Sequence, residues 1–294
     1  MSIGPGPTAT TQSRPSIGTA LREATAALAA LPQASPHLEA ALLLCEATEY
    51  TRTQLLAWPE TGLGAAELAC FEALIRRRLA GEPIAYIRGH QAFWSLELEV
   101  TPDILIPRPE TELLVELALE GLPVDAPLLI LDAGSGSGAV TAALASERPA
   151  WTLIAIERAM GAACVAGRNF RAYALGNTHL VNCDWLTPIA ERSLDAIVGN
   201  PPYLPAADPH LEQGDLIREP RSALVAGPDG LDAIRTLSTQ AVSRLRPTGF
   251  IALEHGLDQG PAVRTIFEQH GFEDIHTYPD LGGQERATTG RLPL

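Results

Sequence analysis

The chain has 294 residues, 46% of them hydrophobic, and a formal net charge of −14 at pH 7. That length supports a sizeable core and two domains, at roughly 100–200 residues each, and neither a disordered nor a membrane class fits: no apolar run approaches the roughly 18 residues a spanning helix needs. The acidic balance argues against a chain whose main task is to grip duplex nucleic acid, because that affinity depends on neutralising phosphates. No lysine occurs, so all 21 basic residues are Arg, which removes P-loop, Schiff-base and pyridoxal chemistry. Cys45, Cys70, Cys164 and Cys183 are scattered without metal-ligand spacing and are read as reduced structural residues, with no metal expected. The first residues lack a basic-then-apolar leader pattern, so a cytoplasmic enzyme is the simplest reading.

In chain order, residues 1–16 are rich in Ser, Thr and Pro and read as a flexible tail. Ala/Leu stretches at 19–31, 37–47 and 64–80 predict a small helical bundle, and Arg76-Arg77-Arg78 is read as the solvated face and last turn of its third helix. The alternation in Phe93-Trp94-Ser95-Leu96-Glu97-Leu98-Glu99-Val100 predicts half-buried β-structure linking two domains. In Ile106-Pro107-Arg108-Pro109-Glu110-Thr111-Glu112, Pro109 pre-sets the first turn of a helix over 110–120, and the acids complement its dipole. A buried-type strand at 128–131 then runs through Asp132 and Ala133 into Gly134-Ser135-Gly136-Ser137-Gly138 and a helical pattern from Val140. Further strands are predicted at 151–156, ending in Glu157, at 180–183, followed by Asp184-Trp185, and at 194–198, followed by Asn200-Pro201-Pro202-Tyr203. The last strands are placed at 249–254, 273–277 and 286–291, with Gly282-Gly283-Gln284 in a turn before the final one. Alternating strands and helices predict an α/β domain with a doubly wound, mostly parallel sheet and a ligand at the C-terminal strand ends.

The glycine loop allows a tight turn and lets a ligand approach backbone amides at a helix N-terminus. An acid ending the next strand, Glu157, can take both hydroxyls of a ribose, so the loop points to a nucleoside cofactor without saying which. Asp184 can take an adenine amino group and Trp185 can cover the ring; the alternative is a capped loop with a buried Trp. After a strand, Asn200 to Tyr203 is either an ordinary Asn-Pro turn or a device for methylating an amino group. In the second case the Asn200 side-chain carbonyl and the Pro201 carbonyl accept both N–H bonds of a planar NH₂, two prolines stiffen the cradle, and Tyr203 stacks on the planar group. Asn200, Pro201 and Tyr203 are the candidate catalytic residues.

Taken together, Pro83-Ile84-Ala85-Tyr86-Ile87-Arg88-Gly89, Phe93-Trp94, Ile106 to Glu112, the 134–138 loop, Asp184-Trp185, Asn200 to Tyr203 and Pro209-His210-Leu211-Glu212 closely resemble the HemK/PrmC family. These are protein-(glutamine-N5) methyltransferases that modify peptide chain release factors. The resemblance implies residues 17–86 as a helical substrate-recognition domain, 87–107 as a β-hairpin linker and 108–294 as a Rossmann-like S-adenosylmethionine domain. It implies that Gly134, Ser135, Gly136, Ser137 and Gly138 hold the methionine end of the cofactor, Glu157 its ribose, and Asp184 with Trp185 its adenine. Asn200, which also borders the cofactor, would take the substrate glutamine with Pro201, Pro202 and Tyr203. The implied partner is a class I release factor, with no direct nucleic-acid or membrane contact and a monomeric enzyme. The family more commonly carries Asp where Glu157 stands. A DNA or RNA adenine-N6 methyltransferase is the alternative, since a related motif presents an exocyclic amine there. Gly282-Gly283-Gln284 spells the tripeptide the family methylates, but a chain reversal explains it without self-modification. His90, His210 and His255 are read as structural or surface residues.

Overall fold

The computed structural model describes residues 14–31 and 34–294, so the tail expected over residues 1–16 lies outside the described residues as far as 13. Two compact units divide between Arg88 and Gly89. No helix among the described residues is long and apolar enough to cross a membrane.

The first unit is built from helices α1 (Ile17–Leu28), α2 (Pro36–Ala47), α3 (Arg52–Ala57), α4 (Ala65–Leu79) and α5 (Ile84–Arg88). Their starts follow from capping chemistry. The Ser16 hydroxyl accepts from the Thr19 N–H at the head of α1, Pro36 stands at the first turn of α2, and Thr51 forms a reciprocal capping box with Gln54. Apolar residues at helical spacing, Ile17, Ala20, Ala24 and Leu28, turn one face of α1 towards Leu43 and Leu44 of α2 and Phe71 and Ile75 of α4. The arginine triplet departs from a solvated face. Arg78 is buried, and its guanidinium reaches back to Glu39 of α2 with N···O distances of 2.8 and 3.3 Å. At helical spacing only one of three successive residues can point at α2, and the charge it brings inward is matched by Glu39. Arg77 pairs with Glu82 at 2.6 Å, and Arg76 remains largely in solvent.

The second unit opens with a hairpin of β1 (His90–Phe93) and β2 (Leu96–Glu99). It is followed by α6 (Glu112–Gly121), β3 (Leu129–Ala133), α7 (Ala139–Glu147), β4 (Thr152–Glu157), α8 (Met160–Ala172), β5 (Thr178–Asn182), β6 (Leu194–Gly199), α9 (Asp232–Arg244), β7 (Leu245–Glu254), α10 (Gly260–Gln269), β8 (Glu273–Pro279) and β9 (Glu285–Arg291). The hairpin docks on α8: Glu99 N–H donates to Asn169 Oδ1 at 2.8 Å, and Arg168 grips the Glu99 carboxylate. Glu112 does more than complement a helix dipole, since its carboxylate accepts from the Trp94 N–H at the hairpin turn at 2.7 Å.

Seven strands form one sheet in the order β5-β4-β3-β6-β7-β9-β8, in which β9 alone runs antiparallel to the rest and pairs with β7 on one side and β8 on the other. The expected doubly wound, mostly parallel sheet is therefore present. The central strands β3, β4 and β6 and the second half of β7 are mainly apolar on both faces because both are covered. Ile130, Leu153, Ala155 and Val198 pack with α6, α7 and α8, whereas Leu131, Ile156, Ile197 and Ile251 pack with α9 and α10. Strands β4 and β5 are laid down to one side of β3 and β6 and β7 to the other, so the winding reverses between β3 and β6. Such a reversal opens a crevice at the C-terminal ends of the two strands.

Candidate active site

The β3 end and the turn after it form one wall of that crevice. The Gly134 and Ser135 N–H groups donate to the Ile156 carbonyl at 2.9 and 2.8 Å, pinning the loop to β4. Gly134, Gly136 and Gly138 have φ of 81°, 54° and 81°, backbone that only glycine adopts without strain. Gly138 is also where the loop meets α8, because a Cβ there would lie 2.5 Å from the Phe170 ring. Below the loop, fully buried Asp132 accepts from Thr141 N–H and Oγ1–H at 3.2 and 2.7 Å, tying β3 to the first turn of α7. Burial pushes its carboxyl up to about 6, against the pull of the Thr141 hydrogen bonds.

Glu157 ends β4 at the loop's edge. Its Oε2 accepts from the Gly136 N–H at 3.0 Å and its Oε1 from the Ala159 N–H at 2.7 Å. Each oxygen keeps a second lone pair for a ligand hydroxyl. Past β5, the Asp184 side chain is 64% exposed and only loosely paired with Arg158 at 3.8 Å. Trp185 lies beside the loop: a Cβ on Gly134 would sit 3.6 Å from the indole. Its backbone is left-handed, with φ of 47°, and the Leu186 N–H beyond it is held by Gln240 Oε1 at 2.8 Å.

Asn200 follows β6 immediately. Gly199 before it has no room for a Cβ, which would stand 2.8 Å from the Ala133 carbonyl, so β3 and β6 approach closely at the crevice. The Asn200 Nδ2–H donates to Thr111 Oγ1 at 3.0 Å, the Thr111 hydroxyl donates to Glu254 Oε2 at 2.7 Å, and the Tyr203 hydroxyl donates to Glu254 Oε1 at 3.3 Å. Asn200 Oδ1 and the Pro201 carbonyl accept no hydrogen bond among the described residues. Burial pushes Glu254 up to about 7, and burial together with Glu254 pushes the Tyr203 phenol well above its usual range. Thr111 and Glu254 were not candidates from sequence. The available signal was an acid closing the otherwise apolar end of β7, Phe250-Ile251-Ala252-Leu253.

These walls enclose a cavity of about 380 Å³. Gly134, Ser135, Gly136, Ser137, Glu157, Asp184, Trp185, Asn200 and Pro202 line it, as do Asp132 and Thr111, whereas Gly138, Pro201 and Tyr203 do not. Gly138 caps α7 and faces Phe170, and the Tyr203 hydroxyl points to Glu254. Arg108 also lines the cavity and forms an ion pair with buried Glu219, whose other oxygen accepts from the Ile106 N–H at 3.1 Å. The helix-entry reading of this segment thus holds for Pro109, and Arg108 adds a tie to the loop before α9. The histidines stand apart. His90 faces Glu97, His210 bonds its own turn at Asp208, and buried His255 is kept neutral by desolvation, bonded to Gly256 and Thr288.

The family described as PrmC N-terminal domain matches residues 19–89, and that described as methyltransferase small domain matches residues 111–229. A release factor glutamine methyltransferase of Pseudomonas aeruginosa is 49% identical over 257 residues, 87% of this chain and 93% of the relative. The chain belongs to the release factor glutamine methyltransferase family. Another member, from Escherichia coli, is 45% identical over 271 residues, 92% of this chain and 97% of its own. Among solved structures, a methyltransferase from Pyrococcus furiosus superposes with a TM-score of 0.52 at 18% identity, over 74% of this chain and 98% of that one. A 16S rRNA methyltransferase from T. thermophilus gives 0.51 at 19% identity, over 69% and 49%. At such identities these two speak for the shared fold alone. The family match spans both the helical unit and the methyltransferase domain, so the resemblance read from short motifs extends over most of the chain.

Proposed function

We propose that this chain transfers a methyl group from S-adenosylmethionine to the side-chain amide nitrogen of the glutamine in the Gly-Gly-Gln motif of class I peptide chain release factors. The observation that carries the reading is the position of Asn200. It stands at the winding reversal, across the crevice from the glycine loop, with its Oδ1 open in a chain that belongs to this family.

The cavity fits the cofactor on its own chemistry. Ser135 Oγ is buried in the wall without a hydrogen-bond partner among the described residues, the loop is shaped for close approach to backbone, and Glu157 has acceptor capacity left for vicinal hydroxyls. Gly134 to Ser137 would hold the methionine end, with Gly138 shaping the loop from outside the cavity, Glu157 the ribose, and Asp184 with Trp185 the adenine. When bound, the cofactor supplies an electrophilic methyl on a sulfonium sulfur. The remaining work belongs to the chain. A glutamine amide nitrogen delocalises its lone pair and is a weak nucleophile, so it must be held with that lone pair aimed along the transfer line. Asn200 Oδ1 and the Pro201 carbonyl would accept the two amide hydrogens, Pro201 and Pro202 stiffen the backbone, and Tyr203 would pack on the planar group; of these four residues Asn200 and Pro202 line the cavity, so the amide would enter beside them. Both acceptors stabilise the positive charge that grows on nitrogen during transfer. The alkylated nitrogen is strongly acidic and loses its proton to water, so no residue is assigned as a base. We place this reaction in the cytoplasm and in a monomer, with no direct hold on nucleic acid or membrane.

Calorimetry tests the cofactor half. Glu157→Ala removes the ribose acceptor and should weaken S-adenosylhomocysteine binding by about 1.5–3 kcal/mol, the range for hydrogen bonds to charged groups. Unchanged affinity would remove Glu157 from the site. For the substrate half, the chain is incubated with labelled S-adenosylmethionine, a release factor and an adenine-containing duplex. We expect label on the release factor; label on the duplex alone would favour an adenine-N6 methyltransferase.

A further inference from the structure

Asn200 has two amide orientations related by a flip, and the donor count of its neighbours decides between them. Oriented one way it offers the cavity an acceptor; oriented the other way, a donor. We propose that Thr111 and Glu254 are positioning residues that lock the Asn200 amide in its acceptor orientation through a one-way chain of hydrogen bonds. The proposal rests on Asn200 being the acceptor for the substrate amide.

The chain runs from the inside outwards. Glu254, 1% exposed at the end of β7, is acceptor-only when ionised and takes the hydroxyl protons of Tyr203 and Thr111 at 3.3 and 2.7 Å. A threonine hydroxyl has one proton. With that proton directed to Glu254, Thr111 Oγ1 can only accept from Asn200, 3.0 Å away, and the group presented to it must be the Nδ2–H₂. Oδ1 is then turned to the cavity. A flipped Asn200 would set its carbonyl oxygen against the Thr111 oxygen with no proton between them, and its NH₂ against the NH₂ of the substrate. Both contacts are unfavourable at a partly buried site.

The lock depends on the charge of Glu254. Arg286 of β9 favours the ionised form, Glu110 in the turn before α6 opposes it, and Tyr203 and Thr111 donate to it. Neighbouring His255 is neutral and bonded to Gly256 and Thr288. Burial outweighs these partners and sets the carboxyl at about 7. Once protonated, Glu254 can donate to Thr111 Oγ1. The threonine proton is then free to turn to Asn200, and the flipped amide becomes permitted. Turnover should therefore fall as pH drops through the Glu254 pKa, with the active form on the alkaline side.

Single-turnover methyl transfer by the full chain, followed from about pH 6 to about pH 9, tests this. We expect the wild-type rate constant to climb through about pH 7 and level off. Glu254→Gln, nearly isosteric but able to donate, should lose roughly tenfold or more and lose the acid limb, the scale of one hydrogen bond to a charged group. Thr111→Val should lose a similar factor, and Thr111→Ser should recover most of it. Calorimetric binding of S-adenosylhomocysteine reports folding, and should stay within about twofold for each variant, since none of these groups is assigned to the cofactor. If Glu254→Gln kept the wild-type rate and acid limb while Asn200→Ala lost turnover, the lock would be overturned and the role of Asn200 would stand. If Asn200→Ala itself kept wild-type turnover, the underlying reading would fail, and the lock with it.

Discussion

Asn200→Ala should lower the single-turnover rate constant by about a hundredfold or more, the range seen when one preorganised partner of a charged transition state is removed. Its amide is tied from behind to Thr111, and Thr111 to Glu254, the contacts proposed above to turn Oδ1 to the cavity. Without it, a substrate amide keeps a single acceptor, the Pro201 carbonyl, and rotates about that contact. The lone pair then spends little of its time on the transfer line. S-adenosylhomocysteine affinity should fall far less than the rate, since Asn200 only borders the cofactor and the loop, Glu157 and Trp185 that would hold it lie on other strands. Loss in rate with binding preserved is the signature of an interaction realised in the transition state. Tyr203→Phe should be milder: the ring remains, and only the hydroxyl contact to Glu254 is removed.

The second large effect concerns the glycine loop. Gly138→Ala should destabilise the fold by about 2–5 kcal/mol, combining the left-handed backbone penalty with overpacking of a filled core. The residue sits at φ 81°, and a methyl group there would meet Phe170 at 2.5 Å and Ala166 at 3.2 Å. Relief requires the buried Phe170 ring to shift, or the loop to move away from it. Gly136→Ala isolates the backbone part, because a methyl group at that position would meet nothing within 4 Å and only the φ of 54° is violated. It should cost about 1–2 kcal/mol. Denaturant midpoints for both variants, at unchanged slope, check the difference; equal losses would show that the contact with Phe170 does not matter.

The parts of this architecture that sequence reveals are those encoded locally. A buried-type strand, a run with glycine at alternate positions and a helix are contiguous in residues 128–145, and the loop conformation follows from the glycines. The residues ending β4, β5 and β6 come together because successive parallel strands share one C-terminal edge, so strand ends foretold the crevice. What stayed hidden depends on residues far apart in sequence. Thr111 looked like part of a helix start and Glu254 like a strand end, and only the placement of β7 beside β6 joins them to Asn200. Arg78 was hidden for a related reason: three consecutive arginines look alike in sequence, and it is the packing of α2 on α4 that selects the one facing Glu39. Gly282-Gly283-Gln284 was legible as a turn. It closes the β8–β9 hairpin, with the Gly282 and Gln284 N–H groups both donating to Asp280 Oδ1 at 2.9 and 3.0 Å.

That turn also supplies an internal control for the most direct measurement. A class I release factor is treated with the chain and isotopically labelled S-adenosylmethionine, and both proteins are digested and sequenced by fragment-ion mass spectrometry. We expect one labelled methyl group on the side-chain nitrogen of the release factor's Gly-Gly-Gln glutamine, absent with Asn200→Ala, and none on Gln284. A methyl group located anywhere other than that glutamine, or label on Gln284 alone, would contradict the assignment of this site to release factor glutamine methylation.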